Sequence, residues 1–335
     1  MAQYLILIAS TAVVLAGAAL FTNGLEWFGK KMNFSDRAIG SVFAAVGTAM
    51  PETMVPIIAI LFGSKATGPA VGVGAIIGAP FMLATLAMFV SGVAVVWNKD
   101  KRSAYPKMNV DPKALMLDLE CFMGFYALAI AASFTDIFII KMFVAGLLVL
   151  FYVIYALYAI KSGEGTPSEG DFLEPCLFSP KSKNPHLYVI LAQVSTALIL
   201  IIWGAQLFVD AIQVISLSLG VSPLILSLIV VPIATELPEK FNSVIWISKG
   251  KDSLALGNVT GSMVWQSSVI VVVGILLTEW KLGYYELLSV FLTMLAAGLI
   301  YLQLRWRNKL TPAPLLAGGV FYVLFMLITA FGGRA

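Results

Sequence analysis

Ten separate runs of mostly apolar residues follow one another along this chain, near 3–22, 38–62, 69–97, 114–133, 138–160, 187–215, 222–247, 253–278, 284–303 and 312–332. A helix needs about 20 such residues to cross the roughly 30 Å hydrocarbon core of a bilayer. Inside lipid the backbone must satisfy its own hydrogen bonds, and runs of this length do so as helices. Composition agrees, since 60% of the 335 residues are apolar and 12% charged, too little charge to solvate a soluble surface. A net charge of +3 with basic residues scattered between apolar runs excludes a nucleic-acid surface. Cys121, in an apolar run, and Cys176, in a polar loop, supply neither a disulfide framework nor metal-ligand spacing. The first run has no basic leader and continues through Gly17 to Phe21, so it is expected to be a span and not a cleaved signal. The chain is expected to be an all-α integral membrane protein with ten transmembrane helices.

Lysine and arginine orient it. One set of alternate loops holds sixteen of them and the other only Lys65, Lys141, Lys281 and Arg334, with Lys240 left inside a span. The basic side faces the cytoplasm by the positive-inside rule, which puts both termini outside a plasma membrane. The longest loop, 161–186, carries Ser, Gly, Glu and Pro and reads as a cytoplasmic linker. It divides the chain into five-span halves, 1–160 and 187–335. Trp27, Trp97, Trp280, Tyr284 and Trp306 lie near span ends, where interfacial anchoring is expected.

The halves read as copies. Residues n and n+187 match without a gap: Gly17, Ala18, Leu20 and Phe21 fall on Gly204, Ala205, Leu207 and Phe208, and Thr48, Pro51 and Glu52 on Thr235, Pro238 and Glu239. An odd number of spans per copy makes the second copy enter the membrane upside down. Inverted repeats with a midplane site are a mark of secondary transporters.

Glu52 and Glu239 each fall near the middle of a span. A carboxylate there costs at least a few kcal/mol and requires a partner or an ion. Pro51 and Pro238 precede them, and each is expected to break its helix, freeing carbonyls of residues such as Ala45, Val46, Pro232 and Ile233. Freed carbonyls beside a carboxylate suit hard cations such as Ca²⁺ and Na⁺. A structural kink with each glutamate bonded to a neighbouring helix is the alternative. In the third span of each half, Gly74-Ala75-Ile76-Ile77-Gly78-Ala79-Pro80 stands opposite Gly257-Asn258-Val259-Thr260-Gly261-Ser262-Met263. The first copy has no polar side chain, so close helix packing is its expected role. The second carries Asn258, Ser262 and Gln266 at four-residue spacing, a polar stripe expected to ligate an ion or support the ligands, with plain interhelical bonding as the alternative.

These residues resemble the cation/calcium exchanger superfamily, whose repeat carries Gly-Thr-Ser-x-Pro-Glu on its second span and Gly-Asn/Asp-x-x-Gly-Ser-Asn on its third. Here the first motif reads Gly47-Thr48-Ala49-Met50-Pro51-Glu52 and Ala234-Thr235-Glu236-Leu237-Pro238-Glu239. The resemblance implies Glu52 and Glu239 as the central Ca²⁺ and Na⁺ carboxylates, backbone carbonyls from Thr48 and Thr235, and Asn258 as a flanking ligand. It also implies that spans 1 and 6 slide over the site, with Gly17, Gly24 and Gly204 at their contact. The departures are Ala49 and Glu236 in place of the serine, Ala75 in place of Asn/Asp, and Pro80 or Met263 in place of the last asparagine.

Glu236 adds an oxygen ligand, and Lys240 lies one turn on, in pairing register with it. Three carboxylates and one ammonium leave a net charge near −2, which balances one Ca²⁺ or two Na⁺. If Lys240 reaches Glu239 instead, fewer Na⁺ ions are coupled, or protons replace them. Two functions within transport follow: Na⁺/Ca²⁺ antiport by alternating access, and proton-coupled or otherwise re-specified cation exchange through Glu236 and Lys240. An intramembrane hydrolase needs a nucleophile–base pair, and the one histidine, His186, lies in the linker. No enzyme activity and no cofactor beyond transported ions are expected. Asp118 and Glu120 are expected to make interfacial ion pairs or an ion-entry vestibule, and Asp210 to be solvated or capping.

Overall fold

Among the described residues eight of the apolar runs fold as continuous helices, the one through Pro80 included, whereas the run that carries Pro238 is split. The computed structural model describes residues 2–32, 49–162 and 174–332, apart from the side chains of 160–162, 237–239 and 332. Helix α1 covers Ala2–Lys31 and α7 covers Leu187–Leu219. Gly220 ends α7 in the left-handed conformation (φ 63°), a position where a missing Cβ removes the strain. The run near 222–247 is split into α8, Pro223–Thr235, and α9, Leu237–Ser248, with Glu236 between them. Its counterpart in the first half is α2, Met50–Phe62; the preceding residues, Thr48 among them, lie outside the described ones. Helices α5 (Pro112–Ala131), α6 (Phe138–Ser162), α12 (Tyr284–Arg307) and α13 (Pro312–Gly332) complete the halves. Asp111 caps α5 by accepting from the Lys113 and Ala114 amides at 2.9 and 3.4 Å, satisfying two of the donors that a helix start leaves open.

The two remaining runs follow a different course. Helix α3 (Gly68–Met82) continues through a π-helical turn, Leu83–Ala87, into α4 (Met88–Trp97). Helix α10 (Asp252–Trp265) continues through a π-helical turn, Gln266–Ile270, into α11 (Val271–Leu277). The two π turns are five residues each and stand 183 positions apart. Among the described residues these are also the two most enclosed of the eight helices long and apolar enough to cross a membrane. The 13-residue helices α2 and α8 are shorter, about 20 Å at 1.5 Å per residue. Of the ten expected spans, eight are continuous helices. The other two, 38–62 and 222–247, are represented among the described residues by α2 and by the α8–α9 pair.

Helices α1 and α7 pack on each other reciprocally. A Cβ on Gly17 would lie 2.8 Å from Cγ1 of Ile201, and one on Gly204 would lie 2.9 Å from Cγ2 of Val14. Residues 14 and 17 map onto 201 and 204 at the offset of 187, so one contact is the image of the other. Helices α3 and α8 approach more closely. A Cβ on Gly78 would fall 2.1 Å from the Leu228 carbonyl oxygen, and one on Gly74 would fall 2.4 Å from that of Leu224. Pro232, four residues after Leu228, removes that carbonyl's helical donor, and the bare face of Gly78 covers it. The small residues of the first copy therefore serve packing, as their apolar character implies.

Three side chains depart from expectation. Trp27 and Trp280 are buried inside the protein, and their indole N–H groups donate to the carbonyls of Glu174 and Ala129 at 2.9 Å each. Both are structural, whereas Trp97, Tyr284 and Trp306 are exposed. Cys176, placed by the sequence in a polar loop, is fully buried against Trp27 and Ile190. The loop around it is tied to α1 and α7 by two amides. Asn23 donates to the Pro175 carbonyl (3.3 Å) and accepts from Leu177 N (3.1 Å), while Gln193 accepts from Phe178 N (3.0 Å) and donates to Asn23 (2.9 Å).

Candidate cation site

Glu52 is the third residue of α2, after Met50 and Pro51, and Glu239 is the third residue of α9, after Leu237 and Pro238. Both short helices begin within an apolar run, so each glutamate sits at the partly positive end of a helix dipole. Proline suits this first turn, where its missing N–H costs nothing. The Glu52 side chain is 6% exposed, and the Glu239 side chain lies outside the described residues. Thr235, the last residue of α8, is buried, and its hydroxyl donates to the Val231 carbonyl at 3.0 Å. Its backbone carbonyl thus stands at the break. Of the carbonyls expected to be freed there, that of Pro232 is occupied by the Glu236 N–H at 2.9 Å. Proline at 238 withholds a donor from the Ala234 carbonyl instead.

Glu236 is 1% exposed, and its Oε1 accepts from the amide of Gln266, the first residue of the second π turn. Lys240 is 3% exposed. Sequence register suggests a turn-to-turn pair between these two, but the hydrogen bonds of the ammonium run to the next helix. Nζ donates to Oδ1 of Asn258 at 3.0 Å and to Oγ of Ser262 at 3.1 Å. The Ser262 hydroxyl proton is engaged with the Asn258 carbonyl at 2.9 Å, which leaves its oxygen lone pairs for the ammonium. The polar stripe is thereby divided: Asn258 and Ser262 hold the lysine, and Gln266 holds Glu236. Among the described residues no three His, Cys, Asp or Glu side chains converge to hold a metal. A cation here would rest on separate carboxylates together with neutral oxygens.

Two features near the site escape sequence reasoning. Asp118, half-buried on α5, has partners on two other helices. It accepts from Tyr155 at 2.8 Å and from Thr260 at 2.5 Å, joining α5, α6 and α10 two residues from Asn258. Glu120 accepts from Tyr301 at 2.7 Å. At the foot of α10, Asp252 is fully buried and receives a two-pronged bond from Arg102, both contacts 2.7 Å. Arg102 also donates to the Ile247 carbonyl at 2.7 Å, and Asn109 N to Asp252 at 2.8 Å. An aspartate at a helix start followed by an apolar run reads as a cap, so nothing in the sequence marks its partner 150 residues away. Asp210 is exposed, and His186, just ahead of α7, stacks on Tyr188.

This is the construction of a multi-pass helical membrane protein with charged and polar side chains buried among apolar spans. The chain belongs to the sodium/calcium exchanger protein family, whose model matches residues 2–161 and again 189–332, and it is a membrane antiporter, not an enzyme. It is 25% identical over 339 residues to a putative antiporter, CaxA, of Alkalimonas amylolytica, covering 95% of this chain and 99% of that one. It is 26% identical over 264 residues to an uncharacterized membrane protein of Methanocaldococcus jannaschii, covering 76% and 78% of the two chains. Among solved structures it shares its fold with an H⁺/Ca²⁺ exchanger, CAX, at TM-score 0.68 and 15% identity over 99% of this chain and 82% of that one. It shares it also with the sodium–calcium exchanger NCX_Mj at TM-score 0.55 and 21% identity, over 98% and 97%.

Proposed function

We propose that the protein exchanges Ca²⁺ for Na⁺ by alternating access, around a midplane site built on Glu52 and Glu239. The observation that carries this reading is the placement of the two glutamates: each is third in a short helix that begins inside an apolar run, one in each half. Thr48, Thr235, Asn258 and Glu236 complete the oxygen set in this reading. Lys240, Ser262 and Gln266 tune its charge and hold it in place. The ten-helix architecture with inverted five-helix repeats, 1–160 and 187–335 around the 161–186 linker, is supported by three facts. The family model matches twice, the π turns recur 183 positions apart, the same spacing that separates Gly74 from Gly257, and the α1–α7 contacts are reciprocal. In this reading the protein lies in the plasma membrane, and charge placement supports both termini outside and the linker cytoplasmic.

A proton-coupled exchanger is the second reading, and one observation favours it. Two oxygens of the polar stripe, Asn258 Oδ1 and Ser262 Oγ, already hold the Lys240 ammonium, so fewer neutral ligands are left for Na⁺. Proteoliposomes loaded with Na⁺, or with an acidic interior, in separate experiments and assayed for ⁴⁵Ca²⁺ uptake decide between them. Uptake driven by the Na⁺ gradient and lost in both Glu52→Gln and Glu239→Gln is expected. Uptake that follows only the pH gradient selects the second reading, and uptake that survives both substitutions rejects the site.

A further inference from the structure

The Lys240 ammonium presents the chemistry of a bound cation. It is buried, and both of its described partners are oxygens that can only accept from it. Amide Oδ1 has no hydrogen, and the single hydrogen of Ser262 is spent on the Asn258 carbonyl. Those oxygens present to Nζ the same lone pairs that they would present to a monovalent metal ion. An ammonium at 3.0 and 3.1 Å from them excludes a free ion from the same place by volume and by charge. The long aliphatic stem of the lysine leaves α9 one turn past Glu236 and delivers the charge to α10.

We propose that Lys240 is a tethered cation: its ammonium holds Asn258 and Ser262 in place of a mobile monovalent ion. The protein therefore binds one such ion fewer than the same oxygens and carboxylates would otherwise take. The inference deepens the exchange reading, because a charge fixed to the protein returns with it and is not delivered across the membrane.

Equilibrium binding tests this without requiring turnover. The full-length chain, purified in detergent, is titrated with ²²Na⁺ as wild type, Lys240→Ala and Lys240→Gln. Alanine vacates the space, whereas glutamine, one bond shorter than lysine, keeps a hydrogen-bonding end while removing the charge and so guards against misfolding of the first variant. Each folded variant is expected to bind one more Na⁺ per chain than the wild type. In vesicles the charge moved per divalent ion, read from the voltage of zero ⁴⁵Ca²⁺ flux, is expected to shift by one elementary charge. An unchanged Na⁺ count in either folded variant overturns the proposal. Wild-type vesicles without ⁴⁵Ca²⁺ flux overturn the exchange reading instead, while the Na⁺ count still decides the role of Lys240.

Discussion

Nζ of Lys240 and Oδ1 of Asn258 lie 3.0 Å apart, bridging α9 to α10. Removing one acceptor from a buried charged donor costs about 1.5–3 kcal/mol. Asn258→Leu is expected to lower the detergent-solubilised protein's unfolding temperature. Asn258→Asp, which supplies a charged acceptor of the same shape, is expected to restore it. Differential scanning fluorimetry reads both.

Glu52→Gln keeps the volume of a side chain that is 6% exposed and removes its charge. Stability is expected to hold or rise, because a buried carboxylate is costly. Divalent-cation transport is expected to fall by more than about tenfold, the change that 1.4 kcal/mol of lost binding produces. Initial rates of ⁴⁵Ca²⁺ uptake beside a melting curve separate the two effects.

Arg102 and Asp252 form a buried pair with side-chain exposures of 11% and 0%. Breaking such a pair from one side strands a charge and costs about 3–5 kcal/mol, while replacing both partners with apolar residues is often neutral. Arg102→Met is expected to destabilise the protein severely, and Arg102→Met with Asp252→Leu to recover most of the loss. Denaturation of the single and double variants in parallel checks this.

Gly78 and Gly17 both sit at close helix contacts but face different atoms. The obstacle at Gly78 is the Leu228 backbone carbonyl, 2.1 Å from a Cβ, and at Gly17 it is first the Ile201 side chain, 2.8 Å away. A backbone atom cannot rotate aside, so Gly78→Ala is expected to cost about 1–3 kcal/mol or more and Gly17→Ala distinctly less. Expression yield and melting temperature of the two variants report the order.

Gln193 joins α7 to Asn23 of α1 and to Phe178 of the linker. Gln193→Leu removes these bonds and leaves the Phe178 amide without its acceptor. The segment after Glu174 is expected to be cut faster by trypsin at Lys181 and Lys183. Limited proteolysis in detergent measures it.

The helices were largely legible because lipid leaves the backbone few options: among the described residues, ten apolar runs yield eight continuous spans and three short helices in the runs that carry Pro51 and Pro238. The break at Glu236 follows from proline chemistry, which acts locally. The routing of Lys240 was not legible. Register along one helix favours Glu236, but the outcome depends on how α9 lies against α10, and no local pattern encodes that packing. Asp118 illustrates the same limit, since its partners Tyr155 on α6 and Thr260 on α10 stand 37 and 142 positions away in the chain. Trp27 and Trp280 likewise sit near span ends in sequence yet turn inward to carbonyls contributed by residues over a hundred positions away.

A π-helical turn accommodates one residue more than the α-helix it interrupts, and one residue is about 100° of rotation. The extra residue within Gln266–Ile270 therefore works as a phase shifter between the two ends of its span. It lets Asn258 and Ser262 face α9 while the portion from Val271 onward keeps the azimuth that seats Gly274 against Trp280. Deleting a single residue there would preserve the span's hydrophobicity and nearly all its length, yet swing its lysine-holding side toward a different neighbour.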